Sequence, residues 1–278
     1  EYFGNWIRVI DVNELNKVTG IIGNIRKPIC PSIPNIFKAF TLCPYKNLKI
    51  VMIGQDPYPQ KDVATGILFG NRSEISEDDL SPSLKIVKEA CINFEIPHNS
   101  IIFDQTLESW ANQGVLMINS ALTCEMNKVG SHTMLWRPFM TKLLKNLSEW
   151  NTGIIYVLFG EQARTFIPYI NSKSNIILEE KHPAYYARME KRMPSTVFEE
   201  VSRLTKEKYG EAQEITTNGA IAGGVYFVSA NDLTLTYNQG TSVVENLIII
   251  PNSDEVTSIN LNIDKSIYLG NALICKNT

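Results

Sequence analysis

The chain has little with which to build a membrane span, a metal centre or a disulfide scaffold. Its longest apolar runs, such as Ile154 to Phe159, fall far short of a bilayer-crossing helix. There are three histidines and five cysteines in 278 residues. Cys30, Cys43, Cys91, Cys124 and Cys275 are scattered, odd in number and free of CxxC spacing. Neither a disulfide framework nor a zinc site is expected from them; reduced thiols in an intracellular protein are. The opening stretch EYFGNWIRVIDVNEL lacks the basic start and apolar centre of a secretion signal, and because residue 1 is not Met the native chain is expected to begin upstream.

A strong positive charge is missing too. The net charge is −3, which looks wrong for a nucleic-acid partner until the chain is divided. Residues 211–278 hold seven acids and two bases, leaving residues 1–210 with 24 bases against 22 acids. A body near neutrality can carry a local basic patch, and patches rather than totals attract phosphate.

What is present is ordered alternation. Four short apolar, β-branched runs, Leu48 to Ile53, Val115 to Ile118, Ile154 to Phe159 and Asn175 to Leu178, suit strands buried on both faces. Helical patterns separate them: Ser81-Pro82-Ser83 opens one, Arg137 to Trp150 forms another, and Ser195 to Tyr209 closes the series. Before residue 47 the chain reads as a helix, a Pro-broken loop, then a short helix around Pro34 to Phe40. This predicts an α/β domain over 1–210, a three-layer fold around a central four-stranded, mainly parallel sheet. Gly210 stops the last helix. Segments such as GGVYFVS, LTLTYNQG and VENLIIIP then predict a small β-rich C-terminal appendage over 211–278.

In open α/β sheets, ligands bind beyond the carboxyl ends of the strands. Gly54-Gln55-Asp56-Pro57-Tyr58 follows the first run, Asn119 ends the second, Gly160-Glu161-Gln162 ends the third, and Lys181-His182-Pro183 follows the fourth. An Asp, an Asn and a His therefore converge on one edge, a set able to hold and hydrolyse a small polar group. Taken singly, each has a plainer reading. Asp56 and Tyr58 suit a turn, Asn119 a strand terminator, Phe69 a core ring, His182 a surface turn, Ser83 a helix cap and Arg188 a solvated helix start.

The ordered motifs change that balance. Gly54-Gln55-Asp56-Pro57-Tyr58 resembles the water-activating motif of family 1 uracil-DNA glycosylases. The resemblance continues through Pro34 to Phe40, Gly66-Ile67-Leu68-Phe69, Pro82-Ser83-Leu84, Trp110 with Gly114-Val115-Leu116, Asn119 to Thr123, Ser131-His132 and His182-Pro183. It covers roughly Trp6 to Tyr209. It implies a hydrolase that flips deoxyuridine from single- or double-stranded DNA and cleaves its glycosidic bond, leaving an abasic site. Asp56 and His182 would be catalytic, the first facing the sugar and attacking water, the second donating to uracil O2. Gln55, Tyr58, Phe69 and Asn119 would bind uracil. Of these, Phe69 stacks, Tyr58 excludes the thymine methyl and Asn119 rejects cytosine. Ser83, Ser131, Tyr185, Tyr186 and Arg188 would contact DNA. No metal, no cofactor and no membrane are expected, and the protein is expected to be a monomer. The compartment implied is the cytoplasm of a prokaryote or virus-infected cell, or a nucleus in a eukaryote.

Three departures from the family pattern keep a second function open, a DNA-binding scaffold or polymerase accessory protein of weak or no activity. Pro59 stands where the family usually has His; a viral branch shows a similar Pro. In His182-Pro183-Ala184-Tyr185-Tyr186-Ala187-Arg188 both expected phosphate-gripping serines are Ala, and Tyr186 takes the place of a wedge Leu. The extension from residue 211 has no counterpart in the family core and is a candidate for binding a protein partner.

Overall fold

A computed structural model describes residues 2–92 and 103–209, together with the backbone of six strands between Gln213 and Ile274. The chain divides into two compact units, one of residues 1–89 and 105–197, the other of residues 90–104 and 198–278. The second takes in most of the last helix as well as the β-rich extension.

In the first unit, α1 (Val12–Gly23) is capped by Asp11, whose carboxylate accepts the Glu14 N–H at 3.0 Å. The two-residue strand β1 (Ile29–Cys30) precedes the short helix α2 (Lys38–Leu42). Then come β2 (Ile50–Gly54), α3 (Pro82–Ile92, its last three residues assigned to the second unit), α4 (Glu108–Asn112), β3 (Val115–Asn119), β4 (Cys124–Glu125) and α5 (Thr133–Trp150). The unit continues with β5 (Ile155–Phe159), α6 (Gly160–Arg164), β6 (Ile176–Glu180) and α7 (Pro183–Arg188). The final helix, α8 (Thr196–Tyr209), runs from this unit into the second.

The main sheet has the order β3-β2-β5-β6, and every neighbouring pair is parallel. All residues of β2, β3 and β5 are buried, as their unbroken apolar runs require. Val51, Ile53, Leu116, Ile118, Tyr156 and Leu158 pack with Leu15, Val18 and Ile22 of α1 and with Leu143, Leu144 and Leu147 of α5 in one core. Met52, Met117 and Val157, which alternate with them, are buried on the opposite face. Edge strand β6 is less buried and extends past its apolar run into Glu179 and Glu180, charges that suit an open edge.

One boundary differs from the sequence reading. Helix α5 begins at Thr133, a turn before Arg137, with Pro138 inside it. The buried Trp136, whose Nε1–H donates to Thr123 Oγ1 at 2.7 Å, holds the extra turn in place. The described residues of the extension form two sheets. Strands β7 (Gln213–Thr217), β9 (Asp232–Tyr237) and β11 (Ser258–Ile263) form one parallel sheet. Strands β8 (Gly224–Val228), β10 (Val243–Pro251) and β12 (Tyr268–Ile274) form another. Consecutive strands thus alternate between the two sheets. No helix among the described residues is long and apolar enough to cross a membrane.

Candidate active site

The strand order reverses direction around β2, so the carboxyl ends of β2 and its neighbours open onto one crevice. Gly54 lies opposite Asn119 in the β2–β3 register. Beyond that pair the chains stay joined: Ser120 and Ala121 N–H donate to Gly54 O and Gln55 O, each at 3.1 Å. The Asp56 turn is therefore laced to the segment that carries Asn119. A Cβ on Gly54 would overlap the Leu68 side chain and come within 2.9 Å of Asn119 Oδ1, so this position needs the missing side chain.

Asp56 is partly buried. Its Oδ2 accepts the Gly130 N–H at 3.1 Å, while Oδ1 is buried without a hydrogen-bond partner. Burial raises the carboxyl above its ordinary value, opposed by the Gly130 amide and the Gln55 side chain. Asn119 Oδ1 is likewise buried and unpartnered. Such atoms are uncommon in folded proteins and mark places where a ligand group can be received.

His182 caps α7. Its Nδ1 accepts the Ala184 N–H at 3.2 Å, which leaves the ring proton on Nε2. Burial, aided by the positive charge of Arg188, pulls its pKa down to about 4, so the ring is neutral near pH 7. Gly160, at φ +83°, makes room for it, since a Cβ there would sit 2.9 Å from His182 Cβ.

Phe69 ties these groups together. Leu68 N–H docks on the free edge of β3 at Met117 O, 3.1 Å away. The Phe69 ring then stands edge-on to His182, with centroids 5.5 Å apart, and to Phe159 at 5.3 Å. The Tyr58 hydroxyl donates to Phe69 O at 3.1 Å. Asp56, Asn119, Phe69, Tyr58 and His182 thus belong to one connected cluster.

The expected DNA-contact residues are more dispersed. Ser83 is buried in the first turn of α3. Ser131 Oγ accepts the Glu125 N–H at 2.7 Å and donates to Lys128 O at 2.8 Å, so its hydroxyl serves the turn that presents Gly130. Tyr186 does not project: it is buried and donates to Glu180 Oε1 at 2.8 Å. Tyr185 is the more accessible ring, with Lys181 Nζ 4.6 Å from its centroid. Arg188 is exposed.

Two contributions were not found by reading the sequence. Gly130 acts through a backbone N–H presented by a distant turn. Cys30 and Cys124, opposite one another in the β1–β4 pair, are free thiols whose Sγ atoms donate to Pro59 O at 3.4 Å and Pro57 O at 3.6 Å. They floor the loop that carries Asp56. Pro59 O also accepts the Asn127 N–H at 2.8 Å.

Known proteins share much of this chain's sequence and fold. Among curated relatives, a uracil-DNA glycosylase of Buchnera aphidicola is 34% identical over 186 residues, 66% of this chain and 78% of the relative. One from Campylobacter jejuni is 37% identical over 163 residues, 58% of this chain and 68% of the relative. The crystal structure of mimivirus uracil-DNA glycosylase shares the fold, with a TM-score of 0.58 at 21% identity over 73% of this chain and 86% of that one. A substituted mimivirus UNG in complex with UGI aligns with a TM-score of 0.53 at 27% identity, covering 62% and 63% of the two chains. The model of the Uracil DNA glycosylase superfamily matches residues 40–205, and the chain belongs to that superfamily.

Proposed function

We propose that the family's reaction, hydrolytic release of uracil from DNA, is carried in this chain by Asp56, Asn119 and His182, with Phe69 and Tyr58 shaping the base pocket. The observation that supports this most directly is the gathering of complementary polar atoms on one crevice. Asp56 Oδ1 and Asn119 Oδ1 are buried acceptors without partners, and His182 offers an Nε2–H.

Departure of uracil leaves positive charge on the sugar and negative charge on the base. A carboxylate beside the sugar stabilises the first and can take a proton from the attacking water. Burial makes Asp56 more basic than an exposed carboxylate, while the Gly130 amide keeps it oriented. A neutral His182 donates to O2 where negative charge develops without having to lose its proton. The N3–H of uracil matches the Asn119 acceptor. Cytosine presents a lone pair there and would leave both groups unpaired in a buried site. The Tyr58 ring, held by its hydroxyl, occupies the place of the thymine methyl, and Gln55 steadies Asp56.

Uracil-containing DNA is the partner this chemistry requires. Ser83, Ser131 and Arg188 are proposed phosphate contacts. Of the two tyrosines, Tyr185 can meet the duplex as it stands, whereas a wedge role for Tyr186 requires release of its bond to Glu180. The work belongs in an intracellular compartment that holds DNA; the two curated relatives named above are bacterial and lend no weight to a nucleus.

The test is uracil release from a single-stranded oligonucleotide carrying one deoxyuridine. Wild type releases uracil, and Asp56→Asn loses on the order of 10²- to 10⁴-fold, the usual yield of a positioned acid–base group. DNA binding without release by wild type would sink the assignment.

A further inference from the structure

The loop that carries Phe69 is fastened to the start of α3 by a buried polar clip. Asn71 is 0% exposed and Ser81 is 8% exposed. Asn71 Nδ2 donates to Ser81 Oγ at 2.8 Å, and Ser81 N–H donates back to Asn71 Oδ1 at 2.7 Å. Both ends of one amide are engaged by one residue, which fixes the spacing and the angle between the two segments. Around the clip, Asn71 N–H donates to Gln105 O at 2.8 Å and Thr65 Oγ1 donates to Gly70 O at 3.3 Å. Phe69 itself sits at φ +63°. A bulky residue holds that left-handed conformation only when its surroundings over-determine it. The Tyr58 hydroxyl secures the Phe69 carbonyl, and its oxygen also interacts with the Ser81 hydroxyl and the Leu84 amide.

Neither Asn71 nor Ser81 has a part in the chemistry described above. We propose that Asn71 is a positioning residue for uracil: its clip to Ser81 holds Phe69 in the conformation that faces the flipped base and sets it in register with the α3 start, where Ser83 meets phosphate. The inference rests on Phe69 being the stacking ring. A loop ordered in advance spares the base the entropy of ordering it on entry.

Asn71→Leu keeps similar volume and deletes both bonds. Free uracil as an inhibitor reads the pocket directly. Asn71→Leu weakens its inhibition about tenfold and raises KM comparably, the size expected for one or two buried hydrogen bonds, with kcat changed less than about threefold. Asn175 provides the control. It is a buried amide away from the site that accepts the Ile154 N–H and donates to Ser148 O, each at 2.9 Å. Asn175→Leu lowers Tm and leaves uracil inhibition unchanged. Ser81→Ala serves if Asn71→Leu does not fold: it drops the Asn71 Nδ2 bond to Ser81 Oγ and weakens uracil inhibition in the same direction. Unchanged inhibition in either folded variant, beside a clear loss in Phe69→Ala, overturns the positioning role alone. No loss in Phe69→Ala overturns the stacking assignment and the clip's role with it.

Discussion

At the scale of single residues, the site separates its two titrating groups by environment. Burial pushes Asp56 up and His182 down to about 4. The acid limb of kcat/KM is therefore expected to report Asp56, and to lie above the ordinary carboxylate value of about 3.9. His182→Gln should lower kcat by roughly 10²-fold, the usual loss for one preorganised donor, and leave that limb in place; disappearance of the limb would make His182 the titrating group. The same histidine affects stability. With a folded pKa below the unfolded one, the unfolded chain binds the extra proton between about pH 4 and 6.5, so stability rises with pH across that window. Thermal melts of His182→Gln should show a flatter rise there, and an unchanged slope would contradict a buried neutral ring. Asp56, Asn119 and His182 were legible in the sequence because apolar runs mark strand ends and ligands gather beyond them. Gly130 was not, since its contribution is a backbone N–H from a turn 74 residues further on. Tyr186 was legible as a loop position but not as a buried one, because its acceptor, Glu180, belongs to a strand two residues longer than its apolar run.

At the scale of elements, the sheet supplies the precision and glycines supply the clearance. Gly160 starts α6 at φ +83°, with the His182 Cβ in the space where its own Cβ would lie. Gly160→Ala should cost about 1–2 kcal/mol in stability from the strained backbone. It should also cost on the order of 10²-fold in kcat by moving His182. Equal loss of activity and of folded protein, measured by kcat per folded molecule against a denaturant melt, would remove the positioning argument. Strand positions could be read from composition, since a run apolar at every residue has few alternatives to burial on both faces. The start of α5 could not. Pro138 argues locally for a helix beginning near Arg137, and it is outweighed by a ring packed from elsewhere in the chain, Trp136 against Thr123. The alternation of β7 to β12 between two sheets was hidden for a related reason. Short polar-and-apolar strands specify their pleat, but not which neighbour they pair with.

At the scale of the whole molecule, charge is divided along the chain while the chemistry is not. All the proposed site residues lie before Gly210, in a stretch with 24 bases and 22 acids, and the extension adds seven acids and two bases. The family match ends at residue 205. We propose that residues 1–210 are sufficient for catalysis and that the extension modulates how the protein meets a polyanion, or binds a protein partner of its own. Removing it changes the net charge from −3 to +2. A chain ending at Gly210 should then release uracil with kcat close to that of the full chain. It should bind DNA several-fold more tightly at about 50 mM salt, because long-range repulsion from the acidic segment is gone. The difference should close as salt rises toward about 0.3 M, where charges farther apart than several ångströms no longer act on one another. Titrating a fluorescent single-stranded oligonucleotide with both proteins across that range measures it. Weaker binding by the shorter chain at every salt concentration would mean that the extension supplies contacts to DNA. Loss of uracil release by a folded 1–210 chain would mean that the catalytic unit does not end where the family resemblance does.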